Sequence, residues 1–226
     1  MGQHELTIID PPPLMAVDVL CAQEPIRIDL VYAQKEHPDN VFKTAIYRRE
    51  ARLWLFAPLA MVVMTAANIC FREYGYIYVL HDGFRSVEAQ AAMQETLVVK
   101  QNPQWCEGPN RLLSRPGTGG HPRAMAIDIT LETENGEKLD MGTPFDGFEA
   151  DENGLPLAHR KTTSFGDDTM KNRAILEKTM VQAAHMLDVP LLPLPQEWWD
   201  FRLPPEFSGR YAPLHDRDLP PDMRMV

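Results

Sequence analysis

The longest apolar run of the chain lies between Leu53 and Cys70, where LWLFAPLAMVVMTAANIC is interrupted by a proline, a threonine and an asparagine. A membrane-spanning helix needs about 20 predominantly apolar residues, and this interrupted run falls short of that. The pattern therefore predicts a buried core helix that begins near Tyr47 and ends near Gly75.

Two later segments have the patterns of strands. Tyr76 to Leu80 (YIYVL) is rich in aromatic and β-branched residues, which predicts a short central strand. From Arg123 to Leu131, apolar residues alternate with small ones around one carboxylate, Asp128. The opposite, small-residue face leaves room for a ligand beside Asp128. The apolar face is expected to join the core and consists of Met125, Ile127, Ile129 and Leu131.

Caps and chain breakers place the remaining elements. Ser86 is a helix cap before VEAQAAMQETL, and Asn135-Gly136 predicts a tight hairpin turn. An amphipathic helix is expected from about Asp168 to Leu187, with acidic residues at its positive end. Proline and glycine recur from 101 to 120, which predicts a long loop of the kind that often borders a site.

Length and composition limit the domain count and the partners. The 226 residues suit a single domain over 1–226, with an N-terminal extension (1–28) and a proline-dense tail (203–226) that wraps the surface. The formal net charge of −10 argues against nucleic acid or an anionic membrane as a partner. Neither the length nor the composition predicts the oligomeric state.

Cysteine usage and the amino terminus indicate the compartment. The three cysteines (Cys21, Cys70 and Cys106) are far apart and form no CxxC pair, which favours buried thiols in a reducing environment. The start MGQHELTIIDPPP lacks the basic and apolar regions of an export signal. We therefore expect a cytoplasmic protein.

His121 and Asp128 are candidate metal ligands. They are seven positions apart, so a regular strand would point them to opposite faces, but Pro122 should place the histidine in the loop before the strand. Imidazole and carboxylate are good zinc ligands. From these two residues alone, however, a structural role is more common than metal binding.

Four motifs in chain order carry a family resemblance. His121-Pro-Arg-Ala-Met-Ala-Ile-Asp128 resembles the HxxGxxxD-type metal motif of the VanX-type D-alanyl-D-alanine dipeptidases. The resemblance covers the chain from about Asp29 to Phe201. The three further matching segments are DGFR at Asp82–Arg85, DMGTPFD at Asp140–Asp146 and EWWD at Glu197–Asp200.

The resemblance implies a fold and a metal site. The fold would be an α+β single domain with a small, mostly antiparallel central sheet flanked by helices, similar to the DD-peptidase/hedgehog-like fold. One Zn²⁺ per chain would be held by His121, Asp128 and Asp200, with a fourth position open to water. The substrate would be a small peptide.

The resemblance also implies roles for residues around the metal. Glu197 would be the general base, and Arg85 would stabilise the developing oxyanion. Asp146 would receive the free amino group of a dipeptide. Trp198 and Trp199 would form walls of the substrate-binding pocket. Further residues expected at the substrate-binding pocket are Phe145, Tyr32, Tyr47 and Gly119.

These residues also have simpler interpretations. EWWD could be an aromatic anchor with solvated carboxylates, and Arg85 could form a structural salt bridge. Asp146 could be a turn residue, and Tyr32 and Tyr47 could belong to the core.

Two positions depart from the family pattern. Asp200 stands where the family has histidine, so the first shell gains a negative charge and favours harder ions such as Mn²⁺, with slower hydrolysis expected. His215 or Asp216 could substitute as a ligand if the tail folds back.

The second departure is Gly119, which stands where the family has a serine that holds the free carboxylate of the substrate. Arg115 or Arg123 could take over that task. In addition, Ala124 stands where glycine is usual.

Three functions therefore remain open. The first is a metal-dependent dipeptidase acting on D-Ala-D-Ala or a similar dipeptide. The second is a related metallohydrolase for a different cell-wall-type peptide, which Gly119 favours. The third is a noncatalytic metal-binding homologue, which Asp200 favours.

Overall fold

The computed structural model describes residues 13–20, 23–107, 113–147, 149–152 and 154–226. The prediction for Cys21 lies outside the described residues. So do residues 1–12 of the predicted extension and residues 108–112 of the predicted loop.

The described strands form two sheets. A two-stranded antiparallel sheet pairs β1 with β3, and a five-stranded sheet has the order β2-β4-β5-β7-β6. Only the β2–β4 pair of the larger sheet is parallel, so the expectation of a mostly antiparallel central sheet is confirmed. The strands are β1 (Leu14–Ala16), β2 (Ile26–Ile28), β3 (Trp54–Phe56), β4 (Tyr76–Asp82), β5 (Ala126–Thr133), β6 (Leu192–Pro193) and β7 (Asp200–Arg202).

Helices cover one face of the large sheet. The described α-helices are α1 (Val17–Leu20), α2 (Ala57–Tyr74), α3 (Val87–Gln94), α4 (Leu97–Gln101), α5 (Asp167–Met186) and α6 (Pro205–Ser208). Helix α2 packs against both α5 and β4. The Tyr78 hydroxyl of β4 lies 2.5 Å from Thr179 Oγ1 of α5, which ties this helical layer to the sheet. The fold is therefore α+β, as expected.

The long apolar run is divided between a strand and a helix. Trp54–Phe56 pairs with β1, so α2 begins at Ala57 and the predicted start near Tyr47 is wrong. Pro58 lies in the first turn, where its missing N–H costs nothing. The predicted end is confirmed, because Gly75 terminates α2 with a φ of 73°. None of the helices in the described ranges combines the length and apolar character that crossing a bilayer requires.

Most of the other local predictions are confirmed. The Ser86 hydroxyl accepts a hydrogen bond from the Ala89 N–H at the start of α3, although α3 ends earlier than the predicted segment. Helix α5 starts and ends one residue before the predicted positions. Gly136 has a φ of 83° in the turn that follows β5. Cys70 is buried as predicted, whereas Cys106 is only half-buried, and both are free thiols.

The carboxy-terminal segment is anchored in the core. Leu203, Leu214 and Met225 are buried in the core. The Met225 carbonyl accepts a hydrogen bond from the Arg48 N–H. The tail therefore packs against the segment beside Tyr47.

Candidate metal centre and active site

Three carboxylates form a row across the central sheet. In the strand register, Asp82 of β4 lies opposite Asp128 of β5, and Asp128 lies opposite Asp200 of β7. All three are buried, with at most 2% of each residue exposed. Like charges directly opposite each other on neighbouring strands repel. The row therefore needs positive charge in order to be stable.

A β-bulge creates this alignment. Leu80 lies opposite Ile129, and the register then shifts so that Asp82, rather than His81, lies opposite Asp128. An extra residue in one strand re-aims the side chain that follows it. Asp82 was not among the ligands expected from the sequence, because nothing in the chain before it indicates the bulge.

His121 faces the row with its free ring nitrogen. It lies in a 3₁₀ turn just before β5, which confirms that Pro122 keeps it out of the regular strand. Its Nδ1 lies 2.7 Å from the Gly83 carbonyl oxygen, so Nδ1 carries the proton and donates. Nε2 lies 3.7 Å from Asp128 Oδ2 and 3.5 Å from Asp200 Oδ2. Histidine and the two predicted carboxylates therefore converge.

The turn after His121 gives a physical reason why the resemblance leads one to expect glycine at position 124. Ala124 has a φ of 55°, in the left-handed region that favours glycine. One alanine there costs about 1–2 kcal/mol, and the turn still delivers His121 to the site.

Asp128 is the member of the row that most needs a cation. Within the described part of the chain, its buried Oδ1 has no hydrogen-bond partner. Burial, together with the charges of Asp200 and Asp82, raises the pKa of Asp128 well above its usual value. A divalent cation would supply the missing partner and offset the repulsion. The donor set of one imidazole and buried carboxylates thus fits a metal.

Two carboxylates compete to be the third ligand. Asp82, His121 and Asp128 offer ligand atoms that all lie within 4.8 Å of one another. Hydrogen bonding does not separate the two, because Asp82 accepts from Tyr47 and Arg85 and Asp200 accepts from Arg202. However, the closest approach of Asp82 to His121 is to Nδ1, at 3.6 Å. Because Nδ1 is already bound to a carbonyl, Asp200 on the Nε2 side is the better third ligand. That role stays a prediction.

A cavity of about 480 Å³ opens onto this row. That volume suits a small ligand. It is lined by eight of the residues expected from the sequence, namely His121, Asp128, Asp200, Glu197, Arg85, Asp146, Tyr32 and Gly119.

Tyr47 and Phe145 are not among the described residues that line the cavity, and both are buried behind it. The Tyr47 hydroxyl donates to Asp82 Oδ1 over 2.7 Å, so Tyr47 supports the carboxylate row. Phe145 packs on the ring of Trp199, with centroids 5.5 Å apart, and Trp199 itself lines the cavity.

Glu197 lies next to the row in a tight turn. The Asp200 N–H donates to the Glu197 carbonyl over 3.4 Å, which brings the two side chains to one side as the three-residue spacing predicted. Burial of its carboxylate, and next the charge of Asp200, raise the pKa of Glu197 to about 8. A carboxylate held in this way has a high affinity for a proton.

Arg85 is both a salt-bridge partner and a cavity residue. Its Nε donates to Asp82 Oδ2 over 2.9 Å, and its Nη2 lies 3.7 Å from Asp128 Oδ2. Its guanidinium also lies over the Tyr32 ring, 5.3 Å from the centroid. The two interpretations of Arg85 from the sequence are therefore compatible, because the salt bridge holds the guanidinium beside the carboxylate row.

Comparison with known proteins decides the family. A family model described as D-ala-D-ala dipeptidase matches residues 14–217, most of the chain. The chain belongs to this D-ala-D-ala dipeptidase family. It is therefore a peptidase. It is also similar to the D-alanyl-D-alanine dipeptidase of Escherichia coli, with 28% identity over 188 residues that cover 83% of this chain and 84% of the relative.

The lining of the dipeptidase cavity includes a carboxylate of the kind that binds an amino group. Asp146 Oδ2 accepts a hydrogen bond from the Tyr32 hydroxyl, and both residues line the cavity. Burial raises the pKa of Asp146 to about 6, while Tyr32 and Arg85 oppose that rise. A pKa below neutrality leaves this carboxylate mostly ionised at pH 7.

The same lining contains Gly119, the second departure from the expected pattern. Gly119 has a φ of 87°, and the Ser114 hydroxyl oxygen lies 3.6 Å from where a Cβ on Gly119 would be. Ser114 is half-buried and lines the cavity, and its carbonyl accepts a hydrogen bond from the Gln94 side chain. A hydroxyl is therefore present close to the position where the family serine is expected.

Three of the other suggested substitutes, Arg123 for the serine and His215 and Asp216 as metal ligands, are engaged elsewhere. Arg123 donates to the carbonyls of Tyr211, Gly117 and Gly119, so it braces the loop. His215 lies 3.1 Å from Glu88, and Asp216 accepts hydrogen bonds from the last two backbone N–H groups of the chain. The tail folds back, but these two side chains serve its own anchoring.

Sequence reasoning missed three residues of the site: Asp82, Ser114 and Arg202. Arg202 lines the cavity and donates to both oxygens of Asp200. The sequence could have indicated Arg202. Residues two apart on a strand share a face, so the segment Asp-Phe-Arg places two opposite charges side by side. No comparable pattern in the loop around Ser114 indicated that this residue would reach the site.

Proposed function

We propose that the protein is a zinc-dependent dipeptidase that hydrolyses D-alanyl-D-alanine or a similar small dipeptide. The observation that carries this proposal is the cluster of His121, Asp128 and Asp200 beside Glu197 in one cavity. The name of the E. coli relative supports the choice of substrate. A cytoplasmic location remains our prediction.

His121, Asp128 and Asp200 would hold the metal. When bound, a divalent ion polarises the scissile carbonyl and makes a water molecule more acidic. Zinc suits the imidazole, and the carboxylate-rich shell would also accept Mn²⁺.

Glu197 and Arg85 would handle the proton and the charge of the reaction. The Glu197 carboxylate takes a proton from the attacking water and delivers it to the leaving amine, and the burial that raises its pKa helps it to hold that proton between the two steps. The Arg85 guanidinium, fixed by Asp82, faces the oxygen on which negative charge develops. Neither group has to reorganise during the reaction.

Two polar groups that line the cavity would select dipeptides. The Asp146 carboxylate, oriented by Tyr32, binds the free ammonium group. The Ser114 hydroxyl donates to the free carboxylate at the other end of the dipeptide. A substrate with a residue added at its amino end would place an uncharged amide against Asp146, so longer peptides are disfavoured.

The test is turnover of D-alanyl-D-alanine by metal-free protein reloaded with Zn²⁺ or Mn²⁺, measured as released D-alanine. We expect hydrolysis that depends on added metal and stops on chelation. Calorimetric binding of the dipeptide without any release of product would instead favour the noncatalytic homologue.

Removal of the Ser114 hydroxyl is expected to weaken binding of the dipeptide. In Ser114→Ala, KM should rise about tenfold with kcat little changed, because one hydrogen bond to a charged group is lost. A dipeptide with an amidated carboxyl end should show no such rise. Thr118→Val is the matched control, since the Thr118 hydroxyl already donates to the Arg115 carbonyl. Equal KM values for wild type and Ser114→Ala would exclude this role.

A second candidate function rests on Gly119. If the substrate lacks a free carboxylate, the missing serine has no consequence, and the enzyme would act on blocked or longer cell-wall-type peptides. A panel of free and amidated dipeptides separates the two, because the second candidate predicts faster turnover of the amidated members.

A further inference from the structure

The Asp200 side chain is shared between the metal centre and an arginine. Arg202 Nε donates to Asp200 Oδ1 over 2.7 Å, and Arg202 Nη2 donates to Asp200 Oδ2. The Arg202 side chain is 18% exposed and the Asp200 side chain 1% exposed, so this pair is largely shielded from water. A two-point guanidinium–carboxylate contact of this kind is strong and directional.

The charges in the row are compensated unequally. Asp82 has Arg85 as its partner and Asp200 has Arg202, whereas Asp128 has an oxygen without a hydrogen-bond partner among the described residues. With His121 neutral, the three carboxylates and two arginines sum to one negative charge. Without Arg202, the sum would be two negative charges around the same site.

We propose that Arg202 is a charge-balancing residue of the metal centre, which cancels the charge of Asp200 and competes with the metal for its two oxygens. This inference rests on the proposed metal site. The Asp200–Arg202 pair then acts as a neutral ligand, as a histidine would. The extra carboxylate at this position therefore does not leave the metal with a lower net charge.

Arg202 is not needed to place the Asp200 backbone. The Asp200 backbone is held in β7 by its pairing with Asp128 in β5. In addition, Arg160 Nη2 donates to the Asp200 carbonyl over 2.8 Å. Removal of Arg202 should therefore free the Asp200 carboxylate without displacing the strand that carries it.

The test is the affinity of the metal-free full chain for Zn²⁺, measured by competition with a chromophoric chelator. In Arg202→Met the Kd should fall at least about tenfold, because a nearby positive charge and a competitor are both removed. In an Asp200→Asn background the same change should have a smaller effect, since the contested carboxylate is gone. Arg202→Gln, which keeps side-chain donors without the charge, should also lower the Kd and serves if Arg202→Met does not fold.

Arg27 provides a matched control. Its Nε and Nη2 donate to the two oxygens of Glu132 over 2.8 and 2.6 Å in the same two-point geometry, and neither residue lines the cavity. Arg27→Met removes the same charge from the chain and should change the Kd less than twofold.

The outcomes separate the two proposals. If wild type binds Zn²⁺ and Arg202→Met binds it with an unchanged or higher Kd, the charge-balancing role is excluded and the metal site stands. If neither protein binds Zn²⁺, the proposed metal-dependent function fails together with the inference. Tighter binding in Arg202→Met but not in Arg27→Met supports it.

Discussion

Glu197→Gln should reduce hydrolysis of D-alanyl-D-alanine by about 10²- to 10⁴-fold, the contribution usual for a general acid–base residue. Glutamine has nearly the same shape but cannot accept the proton of the attacking water. The loss should therefore appear in kcat, with KM and bound metal little changed. Elemental analysis and steady-state kinetics on the same preparation check both statements.

The control for Glu197→Gln is its neighbour Gln196. Gln196 is exposed and lines the same cavity, so Gln196→Ala perturbs the same turn without removing a proton acceptor. It should keep most of the activity. If Glu197→Gln retains more than a tenth of wild-type kcat, another group must serve as the base.

Asp128→Asn should have opposite effects on the metal-loaded and metal-free forms of the protein. We expect loss of stoichiometric metal binding and of activity, because Asp128 Oδ2 lies 3.7 Å from His121 Nε2 and Asp128 Oδ1 has no hydrogen-bond partner among the described residues. The metal-free variant, in contrast, should unfold at a higher temperature than metal-free wild type. The variant removes the central charge of the row.

The sign of the stability effect follows from the pKa of Asp128. Burial and the neighbouring carboxylates raise that pKa in the folded state. The folded protein therefore holds this proton more tightly than the unfolded chain, and its stability falls as the pH rises from the unfolded pKa toward the folded one. Neutral pH lies above the unfolded pKa, so the metal-free protein has lost stability there, and asparagine, which carries no charge, removes that cost.

Thermal unfolding of both forms, with and without metal, measures this effect. Asp140→Asn is the opposite control, because Thr169 and the Gly142 N–H lower the pKa of Asp140 and so stabilise its charge. That variant should melt no higher than wild type and should keep its metal. A metal-free Asp128→Asn protein that melts below wild type would show that the carboxylate row is not repulsive.

Local patterns predicted the elements but not all of their boundaries. Ser86 and Gly75 mark helix ends through hydrogen bonds and backbone angles within a few residues, and those predictions were confirmed. The start of α2 was wrong because Trp54–Phe56 pairs with Leu14–Ala16, a distant segment that turns an apolar run into a strand. Long-range pairing of this kind cannot be deduced from local hydrophobicity.

The sequence by itself determined the family, the turn that presents His121 and the presence of Asp128, Glu197 and Asp200 in the right order. Only the tertiary structure decided how these residues meet. The bulge at His81 brings Asp82 opposite Asp128, the β5–β7 register brings in Asp200, and Ser114 reaches the space beside Gly119. The physical reason is that side-chain contacts across strands and loops depend on register. Register is fixed by the packing of the whole sheet rather than by any single segment.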